Sequence, residues 1–255
     1  MKTALILTGH LRDWYRAYPS LKREFMDKYH PDVFISTWDN LGYWVSPEQD
    51  PGKKGLNKYS PHLSLTELDN LKNLYCTNTF YPLVENEHFE WFENHFKDRA
   101  EEFEPYCNQI RPVNILSSFY RMAAGVLMME KHISLTGNMY DVVIRTRPDI
   151  LWNGAFPEFT PENVNNTVYT INHRNHDGLG TGDMLQVSSG EGIVKFKELV
   201  YNLTELTKDN NRFCPHIFTR YWIDHVMKYD LIELDVPKLI THTPNGQYID
   251  YVPGQ

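Results

Sequence analysis

The chain is poor in cysteine. Its 255 residues hold three, Cys76, Cys107 and Cys214, an odd number at wide spacing. No CxxC pair occurs, so a thiolate zinc site and a disulfide framework both fall away, and a reducing compartment, the cytoplasm, is expected. Clustered positive charge is missing too. No run of Lys or Arg exceeds two residues and the formal net charge is −8. Nucleic-acid binding asks for a basic patch, so DNA and RNA are excluded as expected partners. An acidic protein still holds a diphosphate through a metal ion or a few well-placed arginines. Long apolar runs are also lacking. The first, Ala4-Leu5-Ile6-Leu7, stops at Gly9-His10, too soon for a signal-peptide core or a membrane span. There is no HExxH, no P-loop and no GxGxxG after the first strand.

What is present suits one large α/β domain over residues 1–255, with 41% hydrophobic residues for its core. Thr3–Thr8 is nearly continuously apolar, the pattern of a strand buried on both faces. Tyr18, Leu21, Phe25 and Tyr29 recur at helical spacing until Pro31, and residues 32–38 form a second strand. This β-α-β opening is that of a nucleotide-binding fold with a mostly parallel sheet. Residues 40–62 are expected as a long flexible loop. Helices are expected over 65–75, with Ser64 or Thr66 as cap, and over 87–104, 117–134, 191–207 and 215–228. In the last part, 208–255, a helix and short strands complete the domain. Strands are expected over 79–84, 141–147, 168–171, 184–188, 231–234 and 239–241.

Chemistry is expected where apolar strands end in charge. The strand at 141–147 closes on Arg145-Thr146-Arg147-Pro148-Asp149, and ligands of open α/β sheets sit at the carboxyl ends of strands. Arg145 and Arg147 are two apart, hence on one side of a strand, where paired guanidiniums form a fork for phosphate. Asp149 is placed to hold a divalent metal or a sugar hydroxyl. The same charges also suit a structural ion-pair network. After the first strand, Gly9 lets a ligand approach the backbone and Arg12 is placed to reach a phosphate. A third segment, 178–189, carries three glycines before Asp183. Among the histidines, His242 follows a short strand and is a candidate to join Asp149 at a metal. Ser117 and Ser118 are candidate caps of the long helix, which Tyr120 also opens.

Three segments together resemble one family. Thr8-Gly9-His10-Leu11-Arg12 is similar to the Ser-Gly-x-x-Arg opening of WavE-like bacterial and viral polysaccharide-synthesis glycosyltransferases. Asp32-Val33-Phe34-Ile35-Ser36-Thr37-Trp38 resembles their second strand, and Arg145-Thr146-Arg147-Pro148-Asp149 their Arg-x-Arg-x-Asp signature. The resemblance implies a GT-A-like fold, a nucleotide-sugar donor and a glycan acceptor. It implies Gly9, Arg12, Tyr120, Arg145 and Arg147 as donor-binding residues. Such enzymes usually carry an Asp-x-Asp motif for Mn2+ or Mg2+; here Arg147-Pro148-Asp149 retains one carboxylate, and the arginines take over part of the metal's charge. Asp149 is assigned to a metal or to donor hydroxyls, and Asp183 to the general base of an inverting displacement. Two alternatives stay open: a sugar nucleotidyltransferase, and a non-catalytic nucleotide-sugar or glycan-binding domain on the same fold.

Overall fold

A computed structural model describes residues 1–42, 44–45, 55–56, 62–75, 80–85, 100–106, 112–172, 180–210, 212–241 and 248–251. The expected opening forms. Strand β1 (Thr3–Thr8) is buried throughout, and β2 (Asp32–Trp38) lies parallel to it with Ile6 opposite Phe34. Between them run α1 (Trp14–Leu21), a π-turn (Lys22–Met26) and α2 (Asp27–Tyr29). Pro19 sits inside α1, where it removes one i→i−4 hydrogen bond. Of the expected loop at 40–62, the described residues include an antiparallel ribbon, β3 (Trp44–Val45) with β4 (Gly55–Leu56).

Helix α3 (Leu65–Tyr75) is capped by Ser64 rather than Thr66. The Ser64 hydroxyl accepts from the Glu67 N–H at 3.2 Å while the Glu67 carboxylate accepts from the Ser64 N–H at 2.8 Å, a reciprocal box. Strand β5 (Phe80–Glu85) follows. Of the helix expected over 87–104, residues 100–103 are described and helical, and 104–106 form a 3-10 turn. Helix α4 (Pro112–Thr136) starts five residues earlier than expected, on a proline whose missing N–H costs nothing at a helix start. Ser117 is therefore no cap. It lies within α4 and accepts a 3.0 Å hydrogen bond from the Trp38 indole.

Strands β6 (Val142–Thr146), β7 (Ile150–Trp152), β8 (Thr167–Ile171) and β9 (Leu185–Ser188) come next, with the short α5 (Pro161–Val164) before β8. The helix expected over 191–207 is divided into α6 (Gly190–Lys195), a 3-10 turn (Phe196–Tyr201) and α7 (Leu203–Asn210). Asn202 donates its side-chain N–H to the Glu198 carbonyl, a local bond that competes with the helix ladder. The chain then forms α8 (Pro215–Tyr221), a π-turn (Trp222–Met227), β10 (Asp230–Leu234), β11 (Lys238–Thr241) and β12 (Tyr248–Tyr251).

The main sheet has seven strands in the order β10-β8-β9-β6-β1-β2-β5. All run parallel except β9, which is antiparallel to both neighbours. A second, antiparallel sheet has the order β12-β11-β7. Helices cover both faces of the main sheet, as an α/β fold requires. Ala4 and Ile6 of β1 pack with Phe119, Met122 and Val126 of α4; Leu5 and Leu7 pack on the other side with Trp14, Leu21 and Phe25. Among the described residues no helix is long and apolar enough to cross a membrane.

Two predictions follow from this packing. At Gly125 a Cβ would lie 2.8 Å from Ile6 Cγ2 and 2.9 Å from Thr8 Cγ2, so Gly125→Ala forces α4 off β1. The expected loss is about 1–3 kcal/mol in urea unfolding. Lys238 on β11 is 4% exposed, and burial pulls its pKa down to about 8 against a partial offset from the Asp183 charge. A lysine whose folded pKa lies below its unfolded 10.5 loses its proton first in the folded chain, so stability rises with pH between those values. Comparing urea unfolding near pH 8 and pH 10 checks this: Lys238→Met flattens the rise.

Candidate active site at the carboxyl ends of the parallel strands

Because β1, β2 and β6 are parallel neighbours, the residues after each of them share one edge of the sheet. Gly9 leaves β1 at φ +111°, and its N–H donates to the Ser36 carbonyl at 3.0 Å. Arg12 follows in the left-handed region at φ +48°, which is costly for a residue with a Cβ. Its N–H donates to Leu41 O at 2.8 Å and its Nε to Gly42 O at 3.0 Å, and these bonds hold it there. From this position Arg12 Nη1 reaches Asp149 Oδ2 at 2.7 Å.

Asp149 lies just past β6 and is 1% exposed. Arg147 grips the same carboxylate with two bonds, Nε to Oδ1 at 2.9 Å and Nη2 to Oδ2 at 2.7 Å. One carboxylate thus serves two guanidiniums. Burial works against the charge of Arg147, and the Asp149 charge and hydrogen bonds more than offset it, so the Arg147 pKa is raised.

The expected fork of Arg145 with Arg147 does not form. Strand β6 ends at Thr146, which releases Arg147 from the alternation, and Arg145 stays buried in the sheet. Arg145 donates to Thr8 Oγ1 at 2.8 Å, to Gln186 Oε1 at 2.8 Å and to the Asp183 carbonyl, tying β1, β6 and β9 together. Burial pulls its pKa down to about 10, with Asp183 opposing the shift and Arg147 adding to it. The partner of Arg147 across the site is Arg12.

Gly9, Arg12, Arg147 and Asp183, though neither Arg145 nor Asp149, line a cavity of about 160 Å³. Its far wall is α4, which contributes Ser117, Ser118 and Arg121. Arg121 is 0% exposed, donates Nη1 to Thr37 O at 3.1 Å, and places its guanidinium carbon 4.0 Å from the Trp38 ring centre and 4.8 Å from that of Tyr120. Burial pulls its pKa down to about 9. Trp38 lines the cavity, and Tyr120 stacks on Trp38 at 6.0 Å between ring centres. Arg121 is the site residue missed in the sequence. Its signal was an arginine amid the buried apolar positions of α4, which no solvated helix face explains.

Asp183 enters the cavity from the segment before β9. Gly182 must be glycine, since a Cβ there would meet the Ile171 carbonyl oxygen at 2.4 Å. The imidazole of His216, in the first turn of α8, stands with Nδ1 3.4 Å from Asp183 Oδ1. His242, the expected partner of Asp149 at a metal, lies outside the described residues, as does Gly178 of the glycine-bearing segment. Among the described residues no three His, Cys, Asp or Glu side chains gather as a metal site, and both Asp149 oxygens accept from arginines. The described donor set therefore does not fit Mn2+ or Mg2+ at Asp149.

No protein-family model matches the chain, and no curated protein sequence matches it. Among solved structures, one similar to it is mouse xyloside xylosyltransferase 1 in its apo form, with a TM-score of 0.43 and 10% identity over 92% of this chain and 85% of that one.

Removing the shared carboxylate leaves a buried guanidinium, Arg12, beside a partly exposed one, Arg147, without the charge between them. Asp149→Asn is expected to cost about 3–5 kcal/mol in urea unfolding, the scale for breaking a buried ion pair from one side. The triple variant Arg12→Met, Asp149→Leu, Arg147→Met, which removes the charges together, loses less.

Proposed function

We propose that the chain is a glycosyltransferase that binds the diphosphate of a nucleotide-sugar donor among Arg12, Arg121 and Arg147 and transfers the sugar to a hydroxyl of a glycan acceptor. The observation that carries this reading is the convergence of three guanidiniums, from the β1 end, α4 and the β6 end, on one cavity beside a single shared carboxylate. Such a wall suits a ligand carrying more than one negative charge. The mostly parallel seven-stranded sheet, with its cavity at the strands' carboxyl ends, agrees with the GT-A-like frame that the sequence resemblance implies.

In the proposed step the acceptor oxygen forms a bond to the anomeric carbon and passes its proton to the Asp183 carboxylate. The bond from the anomeric carbon to the diphosphate breaks, and its electron pair leaves with the diphosphate. Arginines already in place meet that growing charge without reorganisation. Asp149 acts by holding Arg12 and Arg147, and the charge stabilisation is assigned to arginines rather than to a divalent ion. Arg145 braces the strands that carry the site. Trp38 and Tyr120 form an aromatic wall against which Arg121 is held.

The test is a titration of UDP, GDP and dTDP by calorimetry with EDTA present, followed by donor hydrolysis with UDP-, GDP-, dTDP- and CMP-sugars. One nucleoside diphosphate is expected to bind in EDTA, more weakly at high salt. Arg147→Ala or Arg121→Met is expected to weaken it about tenfold or more. Hydrolysis of the matching donor is expected to be lost in Asp183→Asn. Absence of both binding and hydrolysis across the panel sinks the proposal.

A further inference from the structure

We infer that His216 positions Asp183, its imidazole standing against the carboxylate at the cavity wall; the inference rests on the reading of Asp183 as the base. The backbone around Asp183 is pinned on every side. The Gly182 N–H donates to Ile171 O at 2.9 Å, the Asp183 carbonyl accepts from Arg145, and Met184 O accepts from the Thr146 hydroxyl at 2.9 Å.

His216 is fixed as well. Pro215 opens α8 and pre-sets the backbone there. The Thr181 N–H donates to His216 O at 3.1 Å, and His216 Nδ1 lies 3.1 Å from Thr181 O, so the two residues are clasped in both directions. Thr181 is fixed in turn by its hydroxyl, 2.6 Å from that of Thr170 on β8. A carbonyl oxygen only accepts, so Nδ1 carries the proton of the neutral ring. The same Nδ1 atom stands 3.4 Å from Asp183 Oδ1, within ion-pair range. Asp183 and Pro215 line the cavity while the imidazole stands against Asp183, which makes His216 a positioning residue acting through the carboxylate.

Two substitutions separate the roles. His216→Asn keeps an N–H donor near the place of Nδ1; His216→Leu removes it. In donor hydrolysis His216→Leu is expected to lower kcat about tenfold or more, with KM and nucleoside diphosphate affinity within about twofold. His216→Asn is expected to restore most of kcat, which a purely structural role does not predict. A folded His216→Leu protein with kcat within about twofold of the parent overturns the inference.

A second readout needs no turnover. In 15N-labelled protein at pH 8, the His216 ring is expected in the Nδ1–H tautomer, with its Nδ1 resonance moving in Asp183→Asn. An Nε2–H tautomer overturns the inference, as does an Nδ1 signal indifferent to Asp183→Asn. Should every donor be inert, the glycosyltransferase reading falls, while the tautomer still decides whether His216 holds Asp183.

Discussion

The site depends on one buried carboxylate held between two guanidiniums. Asp149 accepts from Arg12 through a buried bond and, bidentately, from Arg147 through two partly buried ones. The arrangement has a large desolvation cost, and the cost is offset only while all three partners stay in place. It explains why Arg12 occupies a left-handed backbone position, with its N–H and its Nε held by Leu41 and Gly42. The strain serves to aim a cation. With its charge shared in this way, Asp149 organises two arginines that both line the cavity.

The frame that allows this is the central position of β1. It is flanked by β2 and β6 in parallel register and covered on both faces, by α4 and by α1 with the turns that follow it. Helix α4 approaches closely because position 125 has no side chain, and that approach brings Arg121 and Ser117 to the edge where β1 and β2 end. Arg145 spans the same edge from inside the sheet, from Thr8 on β1 to Gln186 on β9. One arginine therefore braces the strands, two are anchored on a carboxylate, and a fourth lies against an aromatic pair. The four are chemically alike, and their surroundings divide the work.

Much of the fold was legible because it is local. Strands β1, β2 and β6 are short apolar runs ended by glycine or charge, and their limits fall within a residue or so of expectation. The segment 191–207 was not, because Asn202 satisfies a carbonyl with its own side chain and divides a helix that spacing alone would continue. The start of α4 was also missed. Its serines resemble caps, yet Ser117 bonds to Trp38, a residue 79 positions away. The pairing of Arg145 with Arg147 failed for a related reason: a spacing of two means one side only while the strand lasts, and β6 stops between them.

By itself the sequence determined which residues are apolar at which period, where strands end, and hence that Gly9, Arg12, Arg147 and Asp149 follow buried strands. Tertiary structure alone decided who meets whom. Arg12 and Asp149 are 137 positions apart, and nothing in either segment names the other. They meet because β1 and β6 pair in parallel with Leu7 opposite Thr146, which sets the two strand ends side by side. The same holds for Asp183 and His216, brought together by the clasp between Thr181 and the start of α8. Periodicity is a property of neighbours along the chain, whereas the partner of a buried charge is set by packing, because desolvation penalises every arrangement in which that charge is left alone.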